Sequence, residues 1–275
     1  MKSQKEISLE ERIVHSLRPE LFDGNTLPLK TAEILMQDSE IQALQEYGNS
    51  VSIVRLGFND HGPVHMRTVT KNCIKMMKLL HNADVKTSLE KEESGNFCDS
   101  LTAVIIASML HDLGMTISRQ DHEIYSSIIA MPIINRILDK LLADDINKKV
   151  IIRSLAMEGI IGHMGIHKIS SIEAGMILVG DGCDMTKGRA RIPMAISTEA
   201  KIGDIHKYSA NSIDSVKITE GQKAEKPIKI DVTMSSDVGF FQIEEVLLPK
   251  INSSPVKPYI ELFAGQENSE KKQYL

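Results

Sequence analysis

The most restrictive feature of this sequence is an apolar run from Leu101 to Leu110, followed directly by His111 and Asp112. The run is apolar on every side of a helix, which is typical of a helix that other elements surround. It is far shorter than the ~20 residues that cross a bilayer, and the N-terminal segment lacks the apolar stretch of a signal peptide. We therefore expect the centre of a mainly helical, cytoplasmic protein with no membrane partner.

The two polar residues that end this run need a partner. A histidine and an aspartate at the end of a buried helix are costly to desolvate unless they are hydrogen-bonded, paired or bound to metal. Neighbouring residues on a helix point ~100° apart, so His111 and Asp112 can line one site only where the helix ends or bends. Gly114 allows such a bend. An isolated pair of this kind would more simply be a histidine bonded to the core beside a helix-end carboxylate.

The pair is not isolated, because similar residues occupy similar positions on separate predicted helices. His65 heads the inward face of a helix that begins at Pro63. His122 opens a helix, His163 lies late in the next, and Asp181 lies near the end of another. Imidazole and carboxylate together suit Mn, Fe, Co, Ni or Zn, and six such groups exceed one tetrahedral site. Two divalent transition metal ions bridged by a carboxylate fit better.

The apolar periodicity also predicts which faces of two helices point inward. The helix that begins at His122 is expected to bury Ile124, Ile128 and Met131. Asp144 or Asp145 can cap the next helix, which is expected to bury the stripe Ile146, Val150, Met157, Ile160 and Met164.

The period changes after residue 212. Residues 228 to 234 alternate strictly between apolar and polar side chains, which is typical of a half-buried strand. A weaker strand is expected around Val216 and Ile218, a short helix from Phe240 that Pro249 ends, and a last strand from Tyr259. We therefore expect a mainly α chain with two domains. Residues 1–199 would form an all-helical domain with an N-terminal helical extension, and residues 200–275 a small α+β module of β-β-α-β order.

The composition excludes several other classes of protein. The chain has 32 Lys and Arg against 37 Asp and Glu, for a net charge of −5, and it has no Trp. This disfavours a broad nucleic-acid surface or a platform for stacked bases. The three cysteines form no CxxC pair, which argues against a disulfide framework or a zinc ribbon.

The order of these polar residues resembles a known motif. His65, then His111-Asp112, then Asp181 resemble the H…HD…D signature of the HD superfamily of metal-dependent phosphohydrolases. His122 and His163 resemble the added ligands of its two-metal branch. The segments NDHGPVH, which ends at His65, and DGCDMTKGR, which begins at Asp181, are similar to a group of predicted HD hydrolases best known from archaea.

This resemblance implies an HD-domain helical bundle with a binuclear metal site. The first metal would have four ligands, His65, His111, Asp112 and Asp181. The second would be held by His122 and His163, with Asp112 bridging the two ions and acting directly in catalysis. The implied enzyme is a phosphohydrolase that cleaves a phosphoester of a nucleotide or another small phosphorylated metabolite. A metal-activated hydroxide would attack phosphorus in line.

Charge on the phosphoryl oxygens calls for cationic donors beside the metals. Lys187, Arg189 and Arg191 follow Asp181 closely and are the predicted substrate-binding residues, the first two also with a role in catalysis. An exposed basic helix end, favoured by the helix dipole, is the alternative. His61 precedes the helix of His65, and we predict that it faces the substrate or supports a ligand; an ordinary turn histidine is the alternative.

Some choices stay open at this level. His167 competes with His163, but it follows Gly165, where the helix is expected to end. Asp184 is either a supporting carboxylate or a helix-end acid. The same ligands would also suit a di-iron oxygenase, or a regulatory module that binds a nucleotide without catalysis. The C-terminal module is a candidate surface for forming a homo-oligomer.

Overall fold

Helices make up most of the chain before residue 188. The structure is a computed structural model that describes residues 2–187, 205–267 and 269–275. The α-helices of the first range are α1 (Gln4–Ser16), α2 (Leu27–Gln37), α3 (Ser39–Ser50), α4 (Pro63–Asn82), α5 (Ser88–Lys91), α6 (Phe97–Leu110), α7 (His122–Leu142), α8 (Ile146–Gly162) and α9 (Ile172–Gly182). Short 3₁₀ turns lie at Pro19–Leu21 and Leu113–Thr116, and a π-helical turn at Val51–Arg55.

Helix α6 lies at the centre of this array. All of its residues are buried, and it packs against α2, α4, α8 and α9. Within the described residues, Phe97–Thr116 is the one helical stretch long and apolar enough to cross a membrane, and it is buried inside the protein. The apolar run therefore forms the surrounded core helix that its composition predicts.

The C-terminal part of the chain forms a four-stranded sheet with a helical crossover. It contains α10 (Ile205–Asn211), β1 (Ile213–Lys223), β2 (Lys226–Met234), α11 (Phe240–Gln242), a π-helical turn (Ile243–Leu247), α12 (Leu248–Ser253), β3 (Ile260–Gln266) and β4 (Lys272–Gln273). The strand order is β1-β2-β3-β4, with β2 and β3 parallel and the other neighbours antiparallel. The β-β-α-β order is confirmed, with β4 added.

Pro249 does not end the crossover helix as expected. It lies just after the π-helical turn Ile243–Leu247, and helix α12 runs on past it to Ser253. The predicted domain boundary between residues 199 and 200 lies outside the described residues and stays a prediction.

The inward faces predicted for α7 and α8 are correct only in part: Ile160 is buried as expected, but several of the other residues are not. Ile128 is 64% exposed, and Ile146 and Val150 are exposed as well. Helix α7 instead buries His122, Ser126, Ala130, Ile133 and Ile137. Helix α8 buries Ile152, Ala156, Gly159 and Ile160, with His163 just beyond its end.

Close packing explains why the buried face of α8 includes the small residues Ala156 and Gly159. A Cβ atom on Gly159 would lie 3.0 Å from the Cβ of Ala107 and 3.0 Å from the Cγ1 of Ile177. Helix α8 therefore approaches α6 and α9 too closely for larger side chains. A search for large apolar residues at helical spacing misses such a face.

Gly114 allows an equally close approach at the turn after α6. An added Cβ would overlap the backbone carbonyl oxygen of His122 and lie 2.6 Å from the backbone nitrogen of Ser126. The Gly114 N–H also donates to Ser126 Oγ over 2.7 Å. This contact holds the end of α6 against the start of α7, and so fixes where His111, Asp112 and His122 stand relative to one another.

We expect Gly114→Ala to lower the free energy of unfolding by about 3 kcal/mol, because backbone rather than a flexible side chain must move. Urea denaturation measures this. Gly48→Ala is the matched control, since its Cβ would meet its neighbours at 3.6 Å and alanine favours the helix by up to about 1 kcal/mol. Equal stability of the two variants would contradict the close approach.

Candidate metal centre

The six predicted metal ligands lie at helix ends that meet in one place. His65 and His122 stand in the first turns of α4 and α7. His111 and His163 cap the C-terminal ends of α6 and α8, Asp112 follows His111, and Asp181 lies in the last turn of α9. Five of them are at most 3% exposed, and the Asp181 side chain is 12% exposed.

The carboxylate of Asp112 stands between two pairs of imidazoles. Its Oδ2 lies 3.2 Å from His65 Nε2 and 3.5 Å from His111 Nε2. Its Oδ1 lies 3.1 Å from His122 Nε2 and 3.2 Å from His163 Nε2. Each oxygen therefore faces one pair of rings, which is the arrangement expected of a bridging carboxylate.

Asp181 joins the first of these pairs. Its Oδ1 lies 3.3 Å from His65 Nε2 and 3.9 Å from His111 Nε2. The donor atoms of His65, His111 and Asp181 are close enough together to hold one cation, and so are those of His111, Asp112 and His163. The structure thus brings together the same six residues, in nearly the same two groups, that the sequence motif implies.

Three of the imidazoles are oriented by the same backbone contact. The Nδ1 atoms of His111, His122 and His163 each donate to the carbonyl oxygen three residues earlier, over 2.9, 2.9 and 2.7 Å. In α6 and α8 these carbonyls lie in the last turn, where a helix leaves them without an internal partner. Because a carbonyl only accepts, Nδ1 carries the hydrogen, and in a neutral ring Nε2 then presents its lone pair to the centre.

The resulting set of acceptors calls for positive charge. The Nε2 atoms of His122 and His163 are 3.1 Å apart, and those of His65 and His111 are 3.2 Å apart. Two lone pairs at this distance repel unless a proton or a metal ion lies between them. Burial lowers the pKa of His111 to about 3, against the opposing charge of Asp112, so this ring is neutral at neutral pH. Neutral imidazoles and ionised carboxylates are the forms that bind divalent transition metals.

Both carboxylates are held in the ionised form. Burial raises the pKa of Asp112, but its contacts with the four surrounding imidazoles lower it well below its ordinary value. Burial likewise raises the pKa of Asp181, but the charge of Lys250 and the contacts with His65 and His111 lower it well below its ordinary value. The centre therefore keeps two negative charges at neutral pH.

Two further residues support the ligands. Asp184 Oδ2 accepts from His65 Nδ1 over 2.7 Å, which fixes the tautomer of this fourth imidazole. Lys250, on α12, donates to Asp181 Oδ2 over 2.5 Å and to the carbonyl oxygen of His163 over 3.0 Å. Sequence reasoning left Asp184 undecided and missed Lys250, which is 69 residues from Asp181 in the chain and belongs to no local motif.

The predicted substrate residues are placed less uniformly. His61 is buried beside the centre, with its ring centroid 5.8 Å from that of His65. Lys187 is exposed and pairs with Asp214 over 2.9 Å, not with the cluster. Arg189 and Arg191 lie outside the described residues. His167, the alternative to His163, is largely exposed and lies 3.8 Å from Glu123.

These features define a class: a mainly helical protein with a small C-terminal sheet and a buried centre of four histidines and two aspartates. The chain is 38% identical, over 249 residues, to the uncharacterized protein MJ1020 of Methanocaldococcus jannaschii. The match covers 90% of this chain and 93% of the relative, and the chain belongs to the same family. No model of a known protein family matches the chain, and no solved structure does.

We expect Asp184→Ala to weaken metal binding about 10- to 100-fold, because His65 then loses the acceptor that fixes its ring. Competition with a chelator measures the affinity. The control is Asp214→Ala, which removes a surface carboxylate and should leave the metal affinity unchanged. Wild-type affinity in Asp184→Ala would show that His65 needs no such support.

We expect Lys250→Met to destabilise the metal-free protein by about 3 kcal/mol at pH 7, because Asp181 keeps its charge in a buried place without its cation. The pKa of Asp181 in the folded protein lies below the ordinary value of 3.8. Its stabilising contribution is therefore complete above pH 3.8 and is lost as the pH falls through the folded value.

The destabilisation should accordingly be full at pH 7 and shrink below about pH 4. Urea unfolding in the presence of a chelator measures it, with Lys187→Met, which removes an exposed ion pair, as the control. If the difference in free energy of unfolding between Lys250→Met and the wild type did not vary with pH, this would contradict an ion pair between Lys250 and Asp181.

Proposed function

We propose that this protein is a metal-dependent phosphohydrolase of the HD type, with two divalent metal ions at the buried centre. One observation carries the proposal: the two carboxylate oxygens of Asp112 face two separate pairs of imidazole nitrogens. A single tetrahedral ion would need only four ligands, so a shared carboxylate between two ligand groups favours a pair of ions.

The residues fit these ions by chemistry as well as by position. His65, His111, Asp181 and Oδ2 of Asp112 would hold one ion, and His122, His163 and Oδ1 of Asp112 the other. Oxygen and nitrogen donors suit Mn, Fe, Co, Ni or Zn, and the three cysteines are buried without joining either ligand group.

When bound, two such cations lower the pKa of a water molecule and clamp the attacking and leaving oxygens of an in-line displacement. The chain's own residues prepare the site for this chemistry. Backbone carbonyls and Asp184 keep the four Nε2 atoms directed inward, and Lys250 restrains one oxygen of Asp181 so that the other faces His65. Burial on five helix ends keeps bulk water from competing for these groups.

A small phosphorylated molecule is the substrate class that this centre suits, such as a nucleotide or another phosphorylated metabolite. The excess of acidic residues over basic ones argues against a long polyanion as the substrate. We assign the enzyme to phosphoester hydrolysis and place it with the HD hydrolases on the motif and on this geometry.

We expect Asp112→Asn to reduce metal-dependent phosphate release by about 100-fold or more, because an amide cannot supply two anionic oxygens to two ions. The assay is release from a panel of phosphomonoesters and nucleotides, with elemental analysis of the same samples and circular dichroism to verify folding. Asp214→Asn, a surface carboxylate, should retain full activity and metal content.

Several outcomes would contradict this proposal. Wild-type protein with two metals per chain that hydrolyses none of the panel is not a phosphohydrolase of this substrate class. Oxygen consumption with ferrous iron and no phosphate release would make it a di-iron oxygenase instead. Nucleotide binding without either reaction would make it a regulatory module.

A further inference from the structure

Beside the centre lies a cation that the sequence motif does not include. Arg119, in the turn before α7, extends its guanidinium toward His122, with Nη1 3.4 Å from His122 Nε2. The guanidinium lies over the ring of Phe58, with Cζ 5.8 Å from the ring centroid. The side chain is half-buried, and among the described residues no carboxylate pairs with it.

This situation differs from that of Arg67, an arginine that is buried. Arg67 is almost fully buried and satisfies its donors with Glu10, Gln45, Gln42 and the carbonyl oxygen of Pro63. Arg119 has one long contact to an imidazole nitrogen, and its other N–H groups form no hydrogen bonds with the described residues. A half-buried guanidinium beside a buried centre, with most of its donors unused by the protein, is poised to bind an anion.

The contact to His122 also conflicts with metal binding. The backbone carbonyl of Arg119 accepts from His122 Nδ1, so Nε2 offers the one lone pair of that ring. A metal on His122 would use this lone pair, and Nη1 of Arg119 would then lose its acceptor. A cationic guanidinium stays beside a cation at low cost only when an anion lies between them.

We propose that Arg119 binds the phosphoryl group of the substrate, on the His122 and His163 side of the centre. This inference rests on the proposed function. It assigns the phosphate contact to Arg119 on the structure's own geometry, whereas Lys187 is engaged with Asp214. Phe58 lies beside the guanidinium but offers no hydrogen-bond acceptor, so the N–H donors that the protein leaves unused can bind two phosphate oxygens at once.

The experiment is a calorimetric titration of inorganic phosphate into Mn²⁺-loaded protein, with metal content measured in the same samples. We expect Arg119→Gln to weaken phosphate binding about 10- to 100-fold with the metals retained. Arg119→Lys should recover part of the lost affinity, since it keeps the positive charge but not the paired N–H donors of the guanidinium. Arg55→Gln is the matched control, because Arg55 is exposed on a neighbouring segment and donates to Tyr47. Lys187→Gln tests the competing sequence prediction.

The outcomes separate this inference from the proposed function. Unchanged phosphate affinity in Arg119→Gln, or no phosphate binding by the metal-loaded wild type, would overturn the role of Arg119 whether or not phosphoesters are hydrolysed. Loss of metals in Arg119→Gln would also overturn it, since Arg119 would then position His122. Phosphate binding that depends on Arg119 supports the inference even if no phosphoester is cleaved, in which case the proposed function alone fails.

Discussion

The carboxylate of Asp112 sets the strictest requirement in this protein. It is buried with four imidazoles around it, so its charge must be balanced inside the protein rather than by water. Each of these imidazoles comes from a different helix end. The core must therefore bring four Nε2 atoms to 3.1–3.5 Å from the oxygens of one carboxylate. The surrounded helix α6, the close turn at Gly114 and the small residues on α8 all serve this convergence.

Part of this arrangement could be read from the sequence. The apolar run before His111 predicts a core helix, since no partly exposed helix is apolar on every side. His163 could be preferred to His167 because Gly165 indicates the end of the helix, and the structure places His163 at the centre. The alternation in β2 predicts a half-buried strand because its period of two is unambiguous over seven residues.

The remaining features of the fold and the site depend on tertiary contacts that no local sequence pattern indicates. The buried faces of α7 and α8 contain Ser, Ala and Gly, which allow neighbouring helices to approach closely. Helical periodicity is judged from large apolar residues and therefore does not detect such faces. The segment after Asp181 is basic, which favoured Lys187 as a phosphate ligand, but that side chain turns to Asp214. The cations that reach the centre, Lys250 and Arg119, come from a crossover helix and a turn whose positions only the tertiary fold determines.

The orientation of three imidazoles by backbone carbonyls has a consequence for how such a centre tolerates sequence change. Any residue at positions 108 and 160 supplies the same carbonyl oxygen, so the orientation of the His111 and His163 rings does not depend on which side chains stand there. Position 119 supplies both a backbone carbonyl and a guanidinium to His122. A substitution there would remove the guanidinium but keep the carbonyl that orients the ring. Distant chains could thus keep this centre while sharing little more than the ligands and the helix ends that carry them.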